Sequence, residues 1–150
     1  MKPLVVLITA FIIAAIILKL INNHLDFAFA AQIAIAAMLL FTGIGHFAFT
    51  KGMAMMVPPP IPFREFMIYL TGFFEIITAA GLLLNSYYRV TGYSLIIFFL
   101  VMLPANIYAA FKHVDYQKGT TDGPGLKYLW FRVPLQVVFI AWVYVAAIVN

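Results

Sequence analysis

The sequence predicts an all-α integral membrane protein of five spans, with its N-terminus inside and its C-terminus outside. Three observations lead there. The chain is 65% hydrophobic and only 9% charged, with a mean hydropathy of +1.05. A soluble domain is roughly half apolar and about a quarter charged, so this surface is suited to lipid rather than water. Five stretches reach the roughly 20 mostly apolar residues that a spanning helix needs. The basic residues are also divided unevenly between alternate connecting segments. At 150 residues the chain has room for a single transmembrane domain, 1–150. The absence of cysteine excludes disulfides, thiolate metal sites and dithiol chemistry of its own. The net charge of +4 suits loop residues facing anionic headgroups and carries no nucleic-acid signal.

The first span is PLVVLITAFIIAAIILKLI, 3–21. Lys2, this apolar run and the small residues Ala28 and Ala30 also fit a signal peptide. Cleavage after Ala30 would cut into the next apolar stretch, and the run is long, so a span is preferred. The second is FAFAAQIAIAAMLLFTGIGHFAF, 27–49, and the third covers 66–84. The fourth is VTGYSLIIFFLVMLPANIYAAF, 90–111, and the fifth is YLWFRVPLQVVFIAWVYVAAI, 128–148. Each must be helical, because lipid offers no partner for backbone N–H and C=O groups.

With the N-terminus inside, the inner face holds Lys2, Lys51, Arg64, Lys112, Lys118, Lys127 and Arg132, and the outer face only Lys19 and Arg89. That bias sets the orientation. NNHLD and NSYYR are short outer turns. KGMAMMVPPPIPFRE is apolar, yet it cannot continue a helix through Pro58, Pro59 and Pro60, so it is expected to lie stiffly at the inner interface. KHVDYQKGTTDGPGLK is hydrophilic, and Gly-Pro-Gly marks its turn into the last span. The pairs Thr42-Gly43, Thr71-Gly72 and Thr91-Gly92 echo one another. Small residues of this kind let helices approach closely in lipid. Tyr87, Tyr88, Tyr93, Tyr128 and Trp130 fit interfacial belts.

Narrow polar stripes then pick out candidate site residues. Thr71, Glu75 and Thr78 share one face of the third span, and Thr42 and His46 share one face of the second. Asn106 marks the fourth span, with His113 two turns later. Tyr128, Arg132 and Gln136 step by four along the fifth. Such stripes face other helices rather than lipid. Glu75 lies roughly 13 Å from the inner end of its span, and Asn106 about 8 Å from the inner end of its own. His46 and Arg132 also lie near inner ends, so all these groups fall in the inner half of one bundle. The first span lacks such a residue and is expected to pack outside the others.

An isolated ionised carboxylate is costly in hydrocarbon. Glu75 is therefore expected among partners: Arg132 to hold it charged, His46 to share or exchange a proton, and Asn106 and Gln136 to complete a network. Pro104 and Pro134 would kink their helices beside it and open a cavity. A functional proton or ligand role for Glu75 and a purely structural one both remain open. The same holds for His46 and Arg132, and Asn106 and Gln136 read more simply as interhelical glue. With no HxxxH or HxxE spacing, and no second histidine at depth, neither a metal site nor a haem is expected.

TGIGHF, VPPPIP, YLTGFFEIITAAGLLL, LPANIYAA and WFRVPLQ, in this order, resemble the DoxX-like membrane proteins. The resemblance covers 30–148 and leaves the first span outside it. It implies a compact four-helix core over 27–148 plus an extra N-terminal helix, 3–21, in the bacterial cytoplasmic (inner) membrane. It also implies that His46, Glu75, Asn106, Arg132 and Gln136 are the family's polar positions. The family name derives from a subunit of a thiosulfate:quinone oxidoreductase, so a redox-linked subunit holding a quinone is the first functional expectation. Without cysteine or an intrinsic cofactor, the chain cannot transfer electrons unaided. The alternatives are a module that binds a lipid or small metabolite or relays protons, and a structural subunit that docks a soluble protein through 113–127; another membrane or peripheral subunit, or a second copy, is the partner expected.

Overall fold

The computed structural model describes residues 2–149. Among them, five helices are long and apolar enough to cross a membrane. They are α1 (Lys2–Asn22), α2 (Phe27–Ala48), α4 (Arg64–Leu82), α5 (Tyr88–Phe111) and α6 (Leu126–Tyr144), the last continuing into a π-helical turn at Val145–Val149. A short helix, α3 (Thr50–Ala54), precedes the prolines. No strand forms among the described residues, where an isolated bridge joins Asp115 to Thr120.

Local signals account for the helix ends. Asn23 takes the left-handed conformation after α1, at φ 56°. Asp26 then caps α2 by accepting a hydrogen bond from the Phe29 N–H at 2.9 Å. His113 ends α5 in the same left-handed way, at φ 52°. Phe63 enters α4 at φ 52°, a strained conformation for an aromatic residue.

The packing is a ring with one appendage. Helix α2 packs chiefly on α4 and α1, α4 on α5, and α5 on α6, while α6 and its π-helical turn return to α2. Helix α1 lies outside the ring. It buries Leu7 and Ala14 and turns Ile12, Ile13, Ile16 and Ile17 outward, as an apolar helix in contact with lipid does. Helix α2 is the most enclosed span, burying Ala30, Gln32, Ala34, Ile35, Ala36, Met38, Leu39 and Gly43. Phe11 of α1 meets Trp142 of α6 edge to face at 5.2 Å, placing α1 over the α2–α6 seam.

Glycines set the closest crossings. A methyl group on Gly72 would stand 2.9 Å from the His46 Cβ, and one on Gly43 would stand 3.2 Å from the Gly72 carbonyl. Helices α2 and α4 therefore touch backbone to backbone just where the candidate residues sit. Gly92 lies against Ala147 in the same manner.

The connections at the His46 end form a joined cap. Gly52 of α3 lies against the backbone of Tyr116, where no side chain fits, and Phe49 meets the Tyr116 ring edge to face at 6.2 Å. Met56 and Val57, which follow α3, are buried. The 113–125 connection is held by the Gly123 N–H donating to the His113 carbonyl at 2.7 Å and the Asp115 N–H donating to the Thr120 carbonyl at 2.8 Å. The Thr120 hydroxyl donates to Asp122 and holds that carboxyl below the usual carboxylate range. The apolar stretch before the prolines thus becomes protein-packed structure, with a helical turn that the proline run had masked in the sequence.

Candidate functional site

The polar stripes do not converge on one point. They form two centres on different helix pairs, and Arg132 belongs to neither.

The first centre lies between α2 and α4. The buried face of α4 carries Ile68, Gly72, Glu75, Thr78, Ala79 and Leu82, so Glu75 points inward on an apolar helix. It stands roughly 16 Å along α4 from Arg64 at the usual rise per residue. Glu75 is 6% exposed. The His46 Nδ1 lies 3.4 Å from the Glu75 Oε2 and 2.9 Å from the carbonyl oxygen of Thr42. A carbonyl only accepts, so Nδ1 carries the hydrogen and donates it to Thr42. Toward the Glu75 Oε2 the same N–H does not meet hydrogen-bond geometry. The Glu75 Oε2 is accordingly the buried side-chain polar atom left without a hydrogen-bond partner among the described residues.

The threonines do not fill that gap. Thr42 donates to the carbonyls of Met38 and Leu39 at 3.1 and 3.2 Å, and Thr71 to that of Ile68 at 2.8 Å. Thr78 donates to the carbonyls of Phe74 and Glu75 at 2.8 and 3.0 Å. Each hydroxyl is satisfied within its own helix. Their shared periodicity with Glu75 and His46 reflects burial, not a hydrogen-bonded network.

The second centre lies between α5 and α6. Gln136, 7% exposed, donates through Nε2 to the carbonyl of Phe99 and accepts from the Asn106 Nδ2 at 3.4 Å. Phe99 precedes Leu100, the residue whose carbonyl Pro104 leaves without its helical N–H. The amide thus enters the stretch that the proline disturbs. The sequence led to the expectation of a cavity between the kinks. In the structure the Gln136 side chain reaches the α5 backbone there.

Arg132 makes neither an ion pair with Glu75 nor a hydrogen bond among the described residues. Its guanidinium lies over the Tyr128 ring one turn earlier, 5.6 Å from the centroid. It faces a space of about 10 Å³ bordered by Ala109, Val114, Pro124 and Gly125. That is room for about one water. The expected Arg132–Glu75 pairing is corrected on this geometry: Arg132 stacks on Tyr128 of its own helix, and the group beside Glu75 is the His46 imidazole.

Two interhelical polar contacts escaped the sequence reading. Gln32, buried in α2, donates to the carbonyl of Ala146 at 2.8 Å, and the Trp142 Nε1 donates to the carbonyl of Ala31 at 3.1 Å. An amide alone in FAFAAQIAIAA was the signal for the first. Among the described residues, no group of three His, Asp or Glu side chains comes together as a metal site would require.

The fold and the site define a class: a multi-pass, all-helical membrane protein with a buried histidine–carboxyl pair between two closely packed spans. Residues 35–147 match the family described as "Domain of unknown function (DUF8561)", and the chain belongs to that family. The match begins inside α2 and leaves α1 outside it. Neither the curated proteins nor the solved structures contain a match.

Proposed function

We propose that this is a DoxX-like protein of the bacterial inner membrane, and that its working element is the His46–Glu75 pair, a proton-binding site serving a redox-linked membrane complex. The supporting observation is the Glu75 Oε2: a buried carboxyl oxygen with no donor, 3.4 Å from an imidazole nitrogen. The ordered motifs from TGIGHF to WFRVPLQ support the DoxX-like part of the reading, and the basic bias of alternate connections supports the orientation.

The chemistry follows from the atoms. Nδ1 keeps its hydrogen on the Thr42 carbonyl throughout. The exchangeable proton resides on the His46 Nε2 or on the Glu75 carboxyl. With neither protonated, the pair carries one negative charge in low dielectric, and taking up one proton makes it neutral overall. A net charge buried in low dielectric is costly, which supports reading this pair as a proton-binding site.

A quinone fits less well. Glu75 is buried between α2 and α4, and the small space beside Arg132 does not border it. A structural-subunit reading draws on the second centre, where Asn106, Gln136 and the Phe99 carbonyl satisfy one another.

The test is infrared difference spectroscopy of the purified protein between about pH 5 and pH 9, a range centred on histidine titration. A pH-dependent carboxylic-acid band is expected in the wild type and is expected to be absent in Glu75→Gln. If the wild type shows no such band, or if Glu75→Gln retains it, the proton site is refuted. Extraction of a quinone in stoichiometric amount, lost in Glu75→Gln, would replace this reading with a quinone site.

A further inference from the structure

A cleft of about 500 Å³ opens where α3 meets the start of α4, away from the His46–Glu75 pair. Lys51, Arg64 and Glu65 supply its charges, and Met55, Phe63 and Phe66 its apolar wall. It is an open surface groove rather than an enclosed pocket. Arg64 is steadied by donating through Nη2 to the Pro59 carbonyl at 3.1 Å, which leaves other guanidinium donors available. Lys51 has no acidic partner within ion-pair distance among the described residues, and Glu65 has no basic one. Phe63 holds its left-handed backbone while its side chain stands 79% exposed. Strained backbone of this kind clusters at ligand clamps and switch regions.

The outer face of α4 continues from the cleft. Phe66, Leu70, Phe73 and Ile77 are exposed at helical spacing, 60%, 52%, 57% and 68%, forming one apolar track down the span. Two cations at the head of an apolar track, at a membrane boundary, match an anionic amphiphile rather than a soluble anion.

We propose that this cleft binds an anionic phospholipid, with the headgroup phosphate between Lys51 and Arg64 and an acyl chain along Phe66, Leu70, Phe73 and Ile77. Lys51 and Arg64 outweigh the single Glu65, so the site selects for negative charge. The site is independent of the proton pair, and Glu75→Gln leaves it intact.

The test is thermal unfolding of the full chain in detergent with added phosphatidylglycerol, phosphatidylcholine of the same acyl chains, or inorganic phosphate. Phosphatidylglycerol is expected to raise the wild-type midpoint, and the other two to leave it nearly unchanged. Lys51→Gln is expected to lose most of the phosphatidylglycerol shift, whereas Lys112→Gln, on the same face outside the cleft, keeps it. Arg64→Gln is expected to lose it as well. Should that variant misfold through loss of the Pro59 contact, Lys51→Gln still decides. Equal shifts from the two lipids would show bulk solvation only. A shift from inorganic phosphate matching that from phosphatidylglycerol would show a free-anion site. Equal behaviour of Lys51→Gln and Lys112→Gln would show that the cleft does not hold the headgroup. Each of these three results overturns the proposal.

Discussion

The two polar centres of this protein occupy the same kind of environment and resolve it in opposite ways. Between α5 and α6, the Gln136 amide donates to the Phe99 carbonyl and accepts from Asn106. Between α2 and α4, a carboxyl and an imidazole meet, yet one carboxyl oxygen keeps no donor. An amide cannot titrate, so it is useful in hydrocarbon only as a fully bonded strut. A carboxyl beside a histidine can change its proton count, and an unspent acceptor is where that change takes place. The difference separates structural polarity from chemical polarity without reference to how deeply either is buried.

The largest test of that contrast is Glu75→Gln. It should abolish pH-linked proton uptake, measured by the infrared band, while changing unfolding stability by less than about 1 kcal/mol. If the variant instead fails to assemble in mild detergent while Thr78→Ala survives, the acid is a strut like Gln136 and the contrast collapses. Gly72→Ala comes next. Its methyl would press on the His46 Cβ, and a loss of about 1–3 kcal/mol in chemical unfolding is expected from overpacking. The wild-type proton signal should also be disturbed, because His46 must move.

Gln136→Ala probes the other centre. It removes the donor to the Phe99 carbonyl, and an unfolding loss of about 1–2 kcal/mol is expected, with the proton signal untouched. A Gln136→Ala variant that altered proton uptake would show the centres to be coupled. Arg132→Ala should cost about 1 kcal/mol more than Lys127→Ala, since Arg132 stacks on Tyr128 and Lys127 is exposed. Equal thermal midpoints would mean that the stacking contributes nothing. Thr78→Ala should have the smallest effect, under about 0.5 kcal/mol, because its hydroxyl serves only its own helix.

The five spans were legible from length and hydropathy, since lipid imposes both requirements on every helix separately. The inward direction of Glu75 was legible too, because Thr71, Glu75 and Thr78 share one helix face and a polar stripe turns toward other helices. The partnership of His46 with Glu75 and that of Asn106 with Gln136 lie within the polar group read from the sequence. The division of that group into two was not legible. Periodicity fixes where a residue points relative to its own helix axis, but not how one helix is rotated against another. Arg132 shows the consequence: it belongs to the polar group read from the sequence, yet its guanidinium lies over Tyr128 rather than beside Glu75. The helical turn of α3 was masked by the prolines after it, and the partner of Gln32, a carbonyl 114 residues away, has no local signature.

That last contact bears on how the molecule is made. Spans enter a membrane in the order of synthesis, yet the seam that closes the ring joins the second span to the end of the last. The Gln32 amide meets its acceptor only when Ala146 exists, and the Ala31 carbonyl meets its donor only when Trp142 does. Until then α2, the most enclosed helix of the finished protein, stands as an open edge with a polar group toward lipid or toward whatever attends it during insertion. Closing the ring therefore couples α2 to α6 across more than a hundred residues of sequence, so neither helix satisfies its polar groups at this seam without the other.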